Sequence, residues 1–137
     1  QFYAEGSWAK LPNQWVMAIV SSTWVDDEGH LWVLQRPNTI SDEERSRAAP
    51  PVLEFDEQGE FLQAWGGPDS SYDWPESEHG IHIDPNGFVW IGGNGNEDQI
   101  LKFTKAFLKG LNQIQTKYLK SQLKKILSWF TTDKIDC

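Results

Sequence analysis

The stretch that decides the fold occurs twice, as VDDEGHLWV at residues 25–33 and as IDPNGFVWI at residues 83–91. Both copies have apolar ends, and an aspartate and a glycine stand between those ends at matching positions. An aspartate side chain stabilises a tight turn, and glycine accepts a positive φ without steric cost. Each copy therefore predicts a strand, a tight turn and a second strand that carries a tryptophan at one constant place.

Each copy continues into a third short strand, PVLEFD at residues 51–56 and QILKFT at residues 99–104. The first copy then passes through a turn into a fourth strand, EFLQAW at residues 60–65. A unit of four short strands that repeats about every 50 residues is typical of a β-propeller blade. A small β-sandwich also uses many short strands and is the alternative. The sequence predicts an all-β fold, an incomplete β-propeller of about two four-stranded blades with a C-terminal helical tail.

The chain changes in charge and composition near residue 105. Of the 20 acidic residues only two follow this point, whereas six of the 12 basic residues do. All seven prolines and ten of the 11 glycines precede it. Beyond it, apolar residues recur every three or four positions, which predicts a helix. We therefore expect blades over residues 1–105 and a basic amphipathic helical tail over residues 106–137.

Three interpretations of that tail stay open. It could cover an exposed sheet edge, since an incomplete propeller leaves edges that can pair with other chains. It could be a basic amphipathic helix for a membrane surface or a partner. It could also be foreign to the blades, as after a frameshift or truncation. Without a cover, the open sheet edges predict self-association.

The composition excludes several classes of protein. The net charge is −8 and the isoelectric point is near 4.7, which is unsuited to general nucleic-acid binding. The sequence contains no run of about 18 apolar residues, so no transmembrane helix is predicted. Cys137 is the single cysteine, so no intrachain disulfide is possible. The first residue is Gln1 and no signal peptide is visible, which is typical of a trimmed or partial chain.

Four stretches, residues 8–12, 24–33, 51–59 and 79–91, resemble NHL-repeat β-propeller proteins. The resemblance covers about residues 8–105, and within this class the chain is similar to bacterial proteins related to peptidyl-α-hydroxyglycine α-amidating lyase. That resemblance implies a six-bladed propeller with a zinc ion on three histidines, an arginine and a tyrosine close by, and calcium in the central cavity. It also implies cleavage of peptidyl-α-hydroxyglycine into a peptide amide and glyoxylate, and an extracytoplasmic location.

The resemblance assigns roles to two residues. His79, in the His-Gly pair that opens an inner strand, matches a zinc ligand, and Arg36 matches an arginine just after the second strand. Ser21 stands in place of His79 in the first copy, so the histidine is not a constant part of the repeat. An arginine can hold a substrate carboxylate with its planar guanidinium. A structural histidine and an ordinary surface arginine are the alternatives.

The two other histidines are weaker candidates. His82 lies three residues beyond His79, and strand alternation predicts that the two face opposite ways, so one metal would not bind both. His30 lies in the first turn, where we expect it to be solvated. The sequence therefore predicts a ligand-binding or lyase-like propeller for a peptide or small molecule. The alternatives are a non-enzymatic scaffold that binds protein or glycan, and a truncated inactive product.

Overall fold

The computed structural model describes residues 3–70, 72–95 and 99–105, which contain seven strands and two short 3₁₀ helices, Pro37–Thr39 and Asp42–Arg47. The predicted all-β class is confirmed for these residues, whereas the predicted tail, residues 106–137, lies outside them. No helix in the described ranges is long and apolar enough to cross a membrane. The strands are β1 Ile19–Val25, β2 Leu31–Arg36, β3 Val52–Phe55, β4 Phe61–Trp65, β5 Glu78–Ile83, β6 Phe88–Gly93 and β7 Ile100–Thr104.

The strands form two antiparallel sheets that follow the chain in order. The first sheet has the order β1-β2-β3-β4, and the second sheet has the order β5-β6-β7. The four-stranded meander predicted for the first copy is present, and so are the three strands predicted for the second copy. Neighbouring strands therefore pair without any crossover connection.

The repeated aspartate and tryptophan form a hydrogen-bonded unit in both sheets. Asp26 Oδ1 accepts the backbone N–H groups of Glu28 and His30 at 2.9 and 3.0 Å, and its Oδ2 accepts Nε1–H of Trp32 at 2.8 Å. One carboxylate thus closes the turn and orients the tryptophan on the following strand. The same three bonds recur in the second sheet, from Asn86, Phe88 and Trp90 to Asp84.

The main core lies between the two sheets. Trp65 of the first sheet and Phe103 of the second bring their ring centroids to 4.9 Å. Burying such large rings and branched aliphatic side chains is the principal favourable contribution to folding. The buried members are Trp32, Leu34, Val52 and Trp65 from the first sheet and Ile81, Ile83, Val89 and Ile91 from the second.

The other face of the first sheet is covered by the segment at residues 8–17. Trp8 packs against Phe55 with ring centroids 6.1 Å apart. The backbone N–H of Lys10 donates to the carbonyl of Gly59 at 2.9 Å. Gly59 has a φ of 77°, and a Cβ there would collide with the Trp8 carbonyl oxygen, so only glycine permits this approach.

Corresponding faces of the two sheets carry the same kind of residue. One face carries the repeated tryptophan, Trp32 or Trp90, and we name it the Trp face. The other carries Val33 or Ile91 and is named the aliphatic face. In the described residues the Trp face of the first sheet packs on the aliphatic face of the second. Among the described residues the Trp face of the second sheet is open, because it belongs to neither buried cluster and Ile100 on it is 76 % exposed.

Candidate functional site

Arg36 lies where the two sheets meet. It is the last residue of β2, half-buried, and its Nε–H donates to the backbone carbonyl of Glu78 at 2.7 Å. Glu78 is the first residue of β5, so this bond ties the end of one sheet to the start of the other. No other side-chain hydrogen bond or ion pair of Arg36 is found within the described ranges. Its terminal amino groups are therefore available to a ligand.

His79 follows Glu78 directly and occupies a β-bulge. The β5–β6 register shifts between Glu78 and Gly80, and the β1–β2 register shifts at the equivalent place, around Ser21. A bulge inserts one residue and changes the alternation of side chains. His79 and His82 are both exposed, and the alternation predicted from their spacing assumes a regular strand, which this bulge interrupts. His82 packs edge-on against Trp24, with ring centroids 4.4 Å apart.

The described residues do not fit the implied zinc around His79. One group of three potential metal ligands occurs among them, formed by Asp26, His30 and Glu54, whose ligand atoms lie within 4.8 Å of one another. A catalytic zinc needs about three protein ligands, and His79 belongs to no such group in the described part of the chain. Its role as a metal ligand stays a prediction, as does the role of calcium.

The Asp26–His30–Glu54 group is already satisfied by protein atoms. Lys105 Nζ lies 2.8 Å from Asp26 Oδ2, and His30 Nδ1 lies 2.8 Å from Glu54 Oε1. Gln63 donates to the other oxygen of Glu54. Buried charges persist when they are paired and hydrogen-bonded. This cluster is therefore an internal polar network in which the Lys105 ammonium is the cation, and His30 is not solvated as expected but only 17 % exposed.

The electrostatics of the network agree with that assignment. Burial opposes ionisation of Asp26, but hydrogen bonds from Lys105, Trp32 and the backbone outweigh it and lower its pKa. Burial likewise disfavours the charged form of Lys105, and its bonds to Asp26 and Glu28 nevertheless raise its pKa. Both shifts favour the ion pair.

A cleft of about 460 Å³ opens beside the Arg36–Glu78 contact. Glu78 is one of its lining residues and is only 3 % exposed. Trp74 Nε1–H donates to Glu78 Oε1 at 2.7 Å, whereas Oε2 is buried and has no hydrogen-bond partner among the described residues. Glu78 was not predicted as a site residue from the sequence. Its signal is a charged residue where the first copy has the apolar Val20.

Comparisons with protein-family models, with curated proteins and with solved structures find no match to this chain. The similarity to NHL-repeat proteins and to amidating lyases therefore stays a prediction from the quoted motifs. Any functional assignment has to come from the geometry around Arg36, Glu78 and His79.

Proposed function

We propose that the two sheets are consecutive blades of an NHL-type β-propeller that binds a carboxylate-bearing peptide or small molecule at their junction. Three features support the propeller. The sheets are successive meanders, the Trp face of one packs on the aliphatic face of the next, and the first strands of both sheets touch. Ser22 Oγ of β1 accepts the backbone N–H of Ile81 of β5 at 3.3 Å. In a propeller these first strands line the central channel.

The observation that carries the binding function is the Arg36–Glu78 hydrogen bond. It holds the guanidinium through Nε, which leaves the two terminal amino groups to form a bidentate pair with a carboxylate. It also places the guanidinium against the backbone that carries His79, the other residue singled out from the sequence. His79 is exposed, so its ring can add a hydrogen bond to the same ligand.

Isothermal titration calorimetry with N-acetylglycine tests this function on the full chain. The probe presents one carboxylate on a peptide-like group, and N-acetylglycinamide is its neutral counterpart. We expect the wild type to bind the acid and not the amide. Arg36→Lys keeps the charge but loses the planar fork, so we expect affinity to fall at least about tenfold, which corresponds to ~1.4 kcal/mol.

Arg45→Lys is the matched control, since Arg45 is exposed and pairs only with Asp42 in the described residues. It should bind like the wild type. Equal binding of the acid and the amide, or equal affinity in both lysine variants, would contradict the proposal. If the chain releases glyoxylate from a peptidyl-α-hydroxyglycine, and His79→Ala abolishes that release, the function is the lyase activity and not ligand binding alone.

A further inference from the structure

The cleft beside Glu78 has a chemical character that the carboxylate site does not explain. Two acidic residues, Glu76 and Glu78, line it, and five of its other lining residues are prolines. A proline has no N–H donor, and its ring presents an apolar surface. The two acidic residues disfavour an anionic ligand, and the prolines add an apolar wall against which an alkyl chain can lie.

The cleft is built by close backbone contacts. A Cβ on Gly66, which follows β4, would lie 2.7 Å from the Trp74 ring. A Cβ on Gly93, at the end of β6, would collide with Pro75. The segment that carries Trp74, Pro75 and Glu78 is thus seated against glycines of both sheets. The Trp74 ring and the Glu78 carboxylate are held in place before any ligand arrives.

The described residues provide a hydrogen-bond partner for only one of the two carboxylate oxygens of Glu78. Trp74 satisfies Oε1, while Oε2 is buried without a partner among the described residues. Burying a carboxylate oxygen without a hydrogen bond is unfavourable, because folding removes its hydrogen bonds to water and no protein hydrogen bond replaces them. A cationic donor in the cleft would satisfy Oε2 and neutralise the charge. The Trp74 ring also offers a cation–π surface.

We propose that this cleft binds a compact organic cation, an alkylammonium or alkylguanidinium group, which donates to Glu78 Oε2 while its alkyl part lies against Trp74 and the prolines. This cation site is independent of the ligand site at Arg36, since it uses the Glu78 side chain and not the backbone carbonyl that holds Arg36. A lysine or arginine side chain of a peptide and a free small amine present the same group.

The test is an NMR titration with n-butylammonium, with 1-pentanol as the uncharged probe of similar size. The readout is the Trp74 indole N–H signal, which Trp74→Phe identifies, because that N–H donates to Glu78. We expect a saturable shift with the ammonium and none with the alcohol. Glu78→Gln should weaken binding at least about tenfold, as expected for a lost charged hydrogen bond.

Glu76→Gln is the matched control, since Glu76 is an exposed carboxylate of the same cleft. It should lower the affinity much less than Glu78→Gln does. No shift of the Trp74 signal, an equal shift with the alcohol, or an equal effect of both glutamine variants would overturn the proposal. Preference for Nα-acetyl-lysine amide over n-butylammonium would support it with a peptide as the source, and the reverse preference would support it with a free amine. The comparison of the two probes uses wild-type protein and stands even if Glu78→Gln does not fold.

Discussion

The two sheets share one turn unit and differ in what surrounds it. In the first sheet the Asp26 side chain is fully buried and pairs with Lys105. In the second sheet Asp84 makes the same bonds to its turn and to Trp90, but it is half-buried and no ion pair to it is found among the described residues. The repeat therefore keeps the contacts within the turn, whereas contacts to other segments differ.

A second difference lies across the strands. His30 and Glu54 of the first sheet form a buried polar pair, whose repeat equivalents in the second sheet are Phe88 and Lys102. There the Lys102 ammonium lies 3.8 Å from the Phe88 ring centroid and 4.6 Å from that of Trp90. A packed sheet needs paired polar groups, while an open Trp face tolerates a solvated cation over aromatic rings.

The largest expected difference in unfolding free energy is between the alanine variants of the two repeated tryptophans, Trp32 and Trp90. Trp32 is fully buried between the sheets, whereas Trp90 is half-buried on the open Trp face. Trp32→Ala should cost about 3–5 kcal/mol of unfolding free energy, and Trp90→Ala about 1–2 kcal/mol. Urea unfolding followed by circular dichroism measures both. Equal losses would show that the second sheet is as well covered as the first.

The next largest difference in stability is expected between alanine variants of two turn glycines that have nearly the same φ. Gly59 and Gly87 have φ values of 77° and 78°, but only Gly59 has the Trp8 carbonyl against it. Gly59→Ala should cost about 3 kcal/mol, from strain plus displacement of the segment at residues 8–17, and Gly87→Ala about 1 kcal/mol from strain alone. Thermal melts compare them. A milder effect at Gly59 would mean that this segment does not cover the first sheet.

A smaller effect separates the two lysines. Lys105→Met leaves the buried Asp26 carboxylate without its cation and should cost about 2–3 kcal/mol. Lys102→Met removes only an exposed cation–π contact and should cost less than about 1 kcal/mol. Chemical denaturation measures the difference, which should shrink little with added salt because the Asp26 pair is buried. Similar costs would remove the distinction between the two sheets.

The smallest expected effect is the pH dependence of the stability that Asp26 contributes. The pKa of Asp26 is lowered in the folded chain, so the unfolded chain takes up a proton first as the pH falls. The stability that Asp26 contributes is present at neutral pH and is lost as the pH falls through about 4 and below. The stability difference between wild type and Asp26→Asn should therefore narrow over that range. A constant difference from neutral to acidic pH would contradict the Asp26 assignment.

The sequence predicted the strands and turns because their signals are local. The Asp26 turn and its copy are set by residues within six positions, and alternation of apolar residues marks the strands. The polar network and the site depend on distant segments. His30 is hydrogen-bonded to Glu54, 24 residues away, and Arg36 is hydrogen-bonded to Glu78, 42 residues away. The bulge at His79 arises from strand pairing, which periodicity does not report.

We infer that the two sheets are successive copies of one stacking unit, and that the Trp face of the second sheet, which is open among the described residues, can pack on another copy of that unit. Sedimentation velocity from micromolar to millimolar concentration measures whether such packing occurs between chains. We expect that the wild type associates, that Ile100→Glu on the open Trp face abolishes association, and that Tyr3→Glu, at a comparably exposed site elsewhere, does not. A chain that stays monomeric throughout, or association that survives Ile100→Glu, would contradict it.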